Sequence, residues 1–262
     1  MAATTDTEHQ EHAGEDGPPE SGAARRRRRG RGPGRIVAQA VSVFGELLIT
    51  AGLVMGLFVV YSLWWTNVVA DRAADKQAEK VRDNWAQDRV GDGPDGPGAL
   101  DTKAGIGFLH VPAMGEGDVL VEKGTSMKIL NDGVAGYYTD PVKATLPTSD
   151  KKGNFSLAAH RDGHGARFHN IDKIEKGDPI VFETKDTWYV YKTYAVLPET
   201  SKFNVDVLDA VPGESGKKKA GHYITLTTCT PVYTSRYRYV VWGELVRTEK
   251  VDGDRTPPEE LR

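Results

Sequence analysis

Residues 47–65 read LLITAGLVMGLFVVYSLWW, nineteen residues without a charge. With the flanking Phe44 and Gly45, and with Glu46 at the edge where a carboxylate still reaches headgroup water, the stretch is long enough to cross a hydrocarbon core, which takes about 20 helical residues. Tyr61, Trp64 and Trp65 gather at its C-terminal end, where amphipathic rings favour the membrane interface. A cleaved leader would have a shorter apolar core and a small-residue cleavage site after it. This core is too long and ends in two tryptophans, so the sequence predicts a transmembrane anchor over 44–66.

The flanks set the orientation. Seven arginines lie between Arg25 and Arg35, whereas Arg72, Lys76, Lys80 and Arg82 follow the span among as many acids. The excess of positive charge places the N-terminus in the cytoplasm and everything after the span outside it. Residues 1–35 have only Met and Ala as apolar types, too little to offset their ordering entropy, so a disordered Arg-rich tail is expected. The arginine run reads as a topology signal aided by anionic lipid rather than as a nucleic-acid arm. With 34 Lys and Arg against 37 Asp and Glu, the chain as a whole is no basic nucleic-acid binder.

Residues 67–90 carry interleaved charges and no Gly or Pro, which predicts a solvated helical stalk. The Gly- and Pro-rich residues 91–103 break any helix and read as a linker. The compact stretch 104–248 has the size of one domain, and a polar tail, 249–262, is expected to fray. Within the domain, segments 106–111, 118–122, 154–160, 179–184, 188–196, 222–229 and 237–247 are rich in β-branched and aromatic residues. So many strands, with short helices only at 126–130 and 166–174, argue for a mainly β barrel or sandwich.

In HYITLTTC (222–229) alternation sets Ile224 and Leu226 on one face and Thr225, Thr227 and Cys229 on the other. Cys229 is the chain's one cysteine, which excludes an internal disulfide and a multi-cysteine zinc cluster. A lone thiol on a polar face at a strand end suits a nucleophile, which needs a proton-transfer partner and an oxyanion donor. His160 ends the strand in SLAAHRDGHG, with His110 as the other strand-end histidine, and Arg236 and Arg238 share a face of the strand after Cys229.

These residues resemble a family. TLTTC (225–229) followed by Thr230-Pro231 and RYRYVV is similar to the sortase signature, and NFSLAAHR (154–161) to the strand that carries the sortase histidine. The tail, the anchor ending in YSLWWTN and the stalk look most like class E sortases of high-GC Gram-positive bacteria. The resemblance implies an eight-stranded sortase-type β-barrel and a membrane-anchored cysteine transpeptidase that works without a cofactor. Cys229 would attack the Thr carbonyl of a C-terminal LAXTG- or LPXTG-like sorting signal on a secreted protein. The acyl group would then pass to an amine of a peptidoglycan precursor (lipid II), anchoring the protein to the cell wall. His160 would be the general acid or base, Arg238 (in preference to Arg236) the oxyanion donor, and Thr227, Thr228 and Tyr138 would line the substrate groove.

AAHR stands where AGHR is commoner, no aromatic Asp-Pro lid occurs in 91–103, and no carboxylate cluster matches a metal site. Leu197-Pro198-Glu199-Thr200 resembles a sorting motif, but Ser201 follows it in place of Gly. An L,D-transpeptidase would carry His-Gly before the cysteine, and a papain-like peptidase would place its cysteine before its histidine, so neither fits. The alternative is a degenerate, membrane-tethered scaffold, against which Cys229, His160 and Arg238 stand together.

Overall fold

The computed structural model describes residues 33–88, 105–115 and 117–262, so the expected disorder of the tail up to residue 32 and the linker 91–103 lie outside the described residues. The described residues fall into two units, divided between Val54 and Met55. In the first, the described residues belong to α1 (Pro33–Asp88), which continues into the second; its most apolar window is wholly unburied, as a candidate membrane span should be.

The second unit is a closed eight-stranded barrel. Its strands are β1 (Gly107–His110), β2 (Val119–Lys123), β3 (Ala135–Tyr137), β4 (Gly153–Ala158), β5 (Pro179–Glu183), β6 (Thr187–Ser201), β7 (His222–Thr230) and β8 (Tyr237–Lys250). They run round the wall in the order β1-β2-β3-β4-β7-β8-β6-β5, and β5 closes back on β1. The pairs β2–β3 and β4–β7 are parallel and the rest antiparallel. Closure leaves no edge for another chain to pair with. The single helical turn α2 (Met127–Leu130) lies between β2 and β3.

Period-2 alternation fills the interior: Phe155 and Leu157 of β4, Ile224 and Leu226 of β7, and Tyr239 and Val241 of β8 share one core cluster. On the outer face of β8, Val240 and Trp242 pack against Val207 and Leu208, and Trp242 Nε1 donates to the Val207 carbonyl at 3.1 Å. That bond fastens the β6–β7 connection along the wall and turns it into one side of a groove.

Four expectations need correction. The stalk is not solvated all round, because Ala70, Ala74 and Val81 are buried, and Ala74 and Val81 pack against Phe108, Leu120 and Val134. With Trp85, whose ring meets Phe108 edge-on, these residues form an i, i+4, i+11, i+15 stripe that presents one helix face to the barrel. The polar tail is docked: Arg247 pairs with Glu260, and Leu261 packs on the Val181–Trp188–Val190 cluster. Instead of a helix over 166–174 there is a 3-10 turn, Ile171–Lys173, preceded by four residues at positive φ, 163–166. Finally, the face of β7 expected to be polar is largely buried, at Thr225 and Thr227. The Leu197–Thr200 motif is simply part of β6, at a register shift, where a proline's missing N–H is tolerated.

Candidate active site

Register brings the predicted residues together. In the β7–β8 ladder Cys229 lies directly opposite Arg238, two steps beyond the Thr227–Val240 pair on the same outer face. Directly opposed Cβ atoms in an antiparallel pair lie about 4.5–5.5 Å apart. On the other flank β4 runs parallel to β7 with Ala158 opposite Thr227, and Ala159 N donates to Thr227 O at 3.3 Å. His160 therefore leaves β4 level with Cys229 and on the same face. Three neighbouring strands deliver an imidazole, a thiol and a guanidinium to a groove of about 480 Å3.

Arg161 fixes that juxtaposition. Its guanidinium is buried, donates to Thr230 Oγ1 at 2.9 Å and pairs with Asp172 at 3.1 Å. The residue after the histidine is thereby bonded to the residue after the cysteine. Thr228 adds a second tie, its hydroxyl donating to the Ala159 carbonyl at 2.7 Å.

The surroundings of the imidazole disfavour its charged form. Burial, then the positive field of His164, keeps His160 below the ordinary histidine value, with Asp162 opposing. Nε2 donates to Asn131 Oδ1 at 2.9 Å, so Nδ1 carries the lone pair. The His164 ring lies 5.4 Å away, centroid to centroid.

Arg238 is half-buried, and its Nη1 donates to the carbonyls of Ser235 and Tyr237, which orient the side chain at the groove. Arg236 precedes β8, is exposed, and lies over the Tyr237 ring away from the groove lining. Tyr138 lines the groove and bonds Thr227 Oγ1 at 2.9 Å, while Thr227 donates to the Leu157 carbonyl at 3.0 Å. Burial pushes the Tyr138 phenol up, so it stays protonated and donates to Thr227. Tyr137 instead points into the core. His110, the other strand-end histidine, is bonded to buried Glu183 at 2.9 Å and belongs to a different cluster.

Sequence reading missed Asn131 and Arg161. Nothing local marks Asn131, which reaches His160 from the end of α2. Arg161 had a signal: an arginine beside a strand-end histidine, at the parity that faces away from the groove. Apolar groups complete the groove, with Leu130, Val207 and Leu208 in its lining and Met127 and Phe203 exposed beside it. The arrangement can bind an extended peptide with an apolar residue, attack a carbonyl with a thiol, and move the released proton through Nδ1.

A family profile described as Sortase domain matches residues 109–246. Sortase SrtE2 of Streptomyces coelicolor (strain ATCC BAA-471 / A3(2) / M145) is 89% identical over 263 residues, covering 100% of both chains. Sortase SrtE1 of the same strain is 46% identical over 85% of this chain and 62% of its own length. A crystal structure of sortase E1 from Streptomyces coelicolor, with a tripeptide in its active site, superposes with a TM-score of 0.56 at 46% identity, covering 60% of this chain and 96% of that one. Sortase E from Streptomyces avermitilis gives a TM-score of 0.52 at 34% identity, covering 59% of this chain and 95% of that one.

Proposed function

From the premise that this chain belongs to the sortase family of cysteine transpeptidases, we propose that it cleaves an LAXTG- or LPXTG-like sorting signal between Thr and Gly and transfers the acyl group to a peptidoglycan-precursor amine. The observation that carries this reading is the level placement of His160, Cys229 and Arg238 by the β4–β7–β8 register.

His160 Nδ1 takes the Cys229 thiol proton as sulfur attacks the Thr carbonyl carbon, and the Arg238 guanidinium stabilises the oxyanion. Collapse of the tetrahedral adduct breaks the Thr–Gly C–N bond, and His160 returns the proton to the departing amine. The thioester is then attacked by the acceptor amine, which loses a proton to His160. Cys229 leaves and is reprotonated. The apolar side chains of Leu130, Val207 and Leu208 suit the leading Leu of the motif, and Tyr138 and Thr227 flank the bound peptide. Residues 44–66 span the membrane once with the N-terminus in the cytoplasm, and 104–248 act outside the cell, fed by a stalk (67–90) and linker (91–103).

The test uses the full chain in detergent micelles with LAXTG and LPXTG peptides and an added amine, following cleavage and the mass of the acyl-enzyme. Thr–Gly cleavage with a covalent adduct, both lost in Cys229→Ala, is expected. A folded protein with a titratable thiol that forms no adduct with either peptide would sink the reading in favour of a non-catalytic scaffold.

A further inference from the structure

Asn131 and His164, which both meet the His160 ring, sit on segments held by α1 just past its apolar stretch. Asn131 is followed two residues later by Gly133, at φ +74, where a Cβ would come within 2.9 Å of the Ala70 carbonyl oxygen. That close backbone approach lets α1 lie against the turn after α2. His164 lies in the run 163–166, all at positive φ, where non-glycine residues such as His164 and Ala166 are disfavoured and persist only when neighbours over-determine them.

The neighbours that do so come from α1. Asn67 Oδ1 accepts from Gly165 N at 3.1 Å, and Asp71 Oδ1 pairs with Arg167 Nη2 at 3.0 Å. Arg167 Nε in turn donates to the Gly133 carbonyl at 2.7 Å, tying the two segments to each other. Asn67 is two residues beyond Trp65, the second of the two tryptophans that close the apolar run.

We propose that Asn67, Ala70 and Asp71 are positioning residues for His160, so that the transpeptidation site is completed by the membrane-proximal turns of α1 and is competent only while they are docked. This rests on reading Cys229 and His160 as the catalytic pair and 44–66 as a membrane span. It follows that the catalytic loop works at the level where the chain emerges from the bilayer, and that a fragment beginning at the linker has an incomplete site. The anchor thus acts on the chemistry as well as on location.

The groups facing the imidazole are Asn131 from the end of α2 and Asp162 and His164 from its own loop, with Cys229 of β7 lining the same groove. Undocking the helix opens the loop to water while Asn131 and His164 drift from the ring. In the full chain in micelles, the double variant Asn67→Ala/Asp71→Ala is expected to lower kcat about 10- to 100-fold with KM changed less than about twofold, the signature of a misplaced reacting group. Without substrate, the His160 ring resonance should titrate nearer the ordinary histidine range in that variant. Asn67→Asp keeps an acceptor for Gly165 N and should behave as wild type in both measurements.

Val81→Ala, farther along the same helix in a separate apolar cluster, controls for general destabilisation. It should lower the thermal midpoint without moving kcat or the titration. Wild-type kcat and titration in the double variant would overturn the proposal, as would equal kcat losses in Val81→Ala and the double variant. Should the wild type itself fail to transpeptidate, the functional reading fails, and the histidine titration still decides whether the helix positions His160.

Discussion

Glu183 is 2% exposed and accepts hydrogen bonds from His110, at 2.9 Å, and from Arg255, at 2.9 and 2.5 Å. Arg82 of α1 approaches it at 3.4 Å while pairing with Asp118 at 2.5 Å. Removing one member of a buried ionic cluster while its partners remain costs about 3–5 kcal/mol. Here Arg82 is 40% and Arg255 21% exposed, so water recovers part of the stranded charge. Glu183→Gln, which keeps the shape and one acceptor oxygen, should therefore destabilise the catalytic unit by about 2–3 kcal/mol. For a unit of this size that corresponds to a fall in Tm of about 5–10 °C.

The loss must depend on pH. Burial opposes ionisation of Glu183, but His110, Arg82 and Arg255 outweigh it and hold the carboxyl below its ordinary 4.5. A folded pKa below the unfolded one means stabilisation that is fully present above about 4.5 and fades as pH falls through the folded value. Thermal unfolding of both proteins in micelles, followed by near-UV circular dichroism, should show a wide gap at pH 7 that narrows towards pH 3. A gap under about 2 °C at pH 7, or one that does not change with pH, would refute the reasoning.

Two further perturbations probe other parts of the unit. His164→Asn removes a positive neighbour while keeping a residue that tolerates positive φ. His160 should then titrate at a higher pH by histidine NMR, though burial still holds it below 6.5; an unmoved midpoint would remove His164 from the account. The same depressed value means that the unfolded chain takes up more protons as pH falls through 6.5, so His160 subtracts stability on the acid side. Deleting residues 257–262 removes Glu260 from Arg247 and Leu261 from its apolar cluster but spares Arg255. A loss of about 1–2 kcal/mol is expected by denaturant titration, and an unchanged midpoint would mean the tail's contacts add nothing.

Period-2 alternation made most of the wall legible, and the face of Cys229 followed from counting along HYITLTTC. The choice between Arg238 and Arg236 could not follow from parity, since both are even-numbered on one strand face. It needed the register that pairs Cys229 with Arg238 and starts β8 at Tyr237. Three-residue β3 escaped notice because its backbone partners, β2 and β4, rather than its own side chains make it a strand. The docked face of the stalk was written in Ala70, Ala74, Val81 and Trp85, but small alanines amid charges give a faint stripe. Asn131 and Arg255 act on partners 29 and 72 residues away, and no window along the chain brings such pairs into view.

The wall also dictates when the enzyme can come into being. β8 is bonded to both β6 and β7, and Arg255, beyond it, reaches back to Glu183. A chain growing from its N-terminus cannot seal the cylinder until β8 has been made. Until then β6 and β7 each offer a bare flank, and Val240 and Trp242 are missing from the groove wall. Until β8 emerges the nascent barrel is thus exposed to proteases and unwanted strand partners, and Cys229 meets Arg238 only once β8 docks.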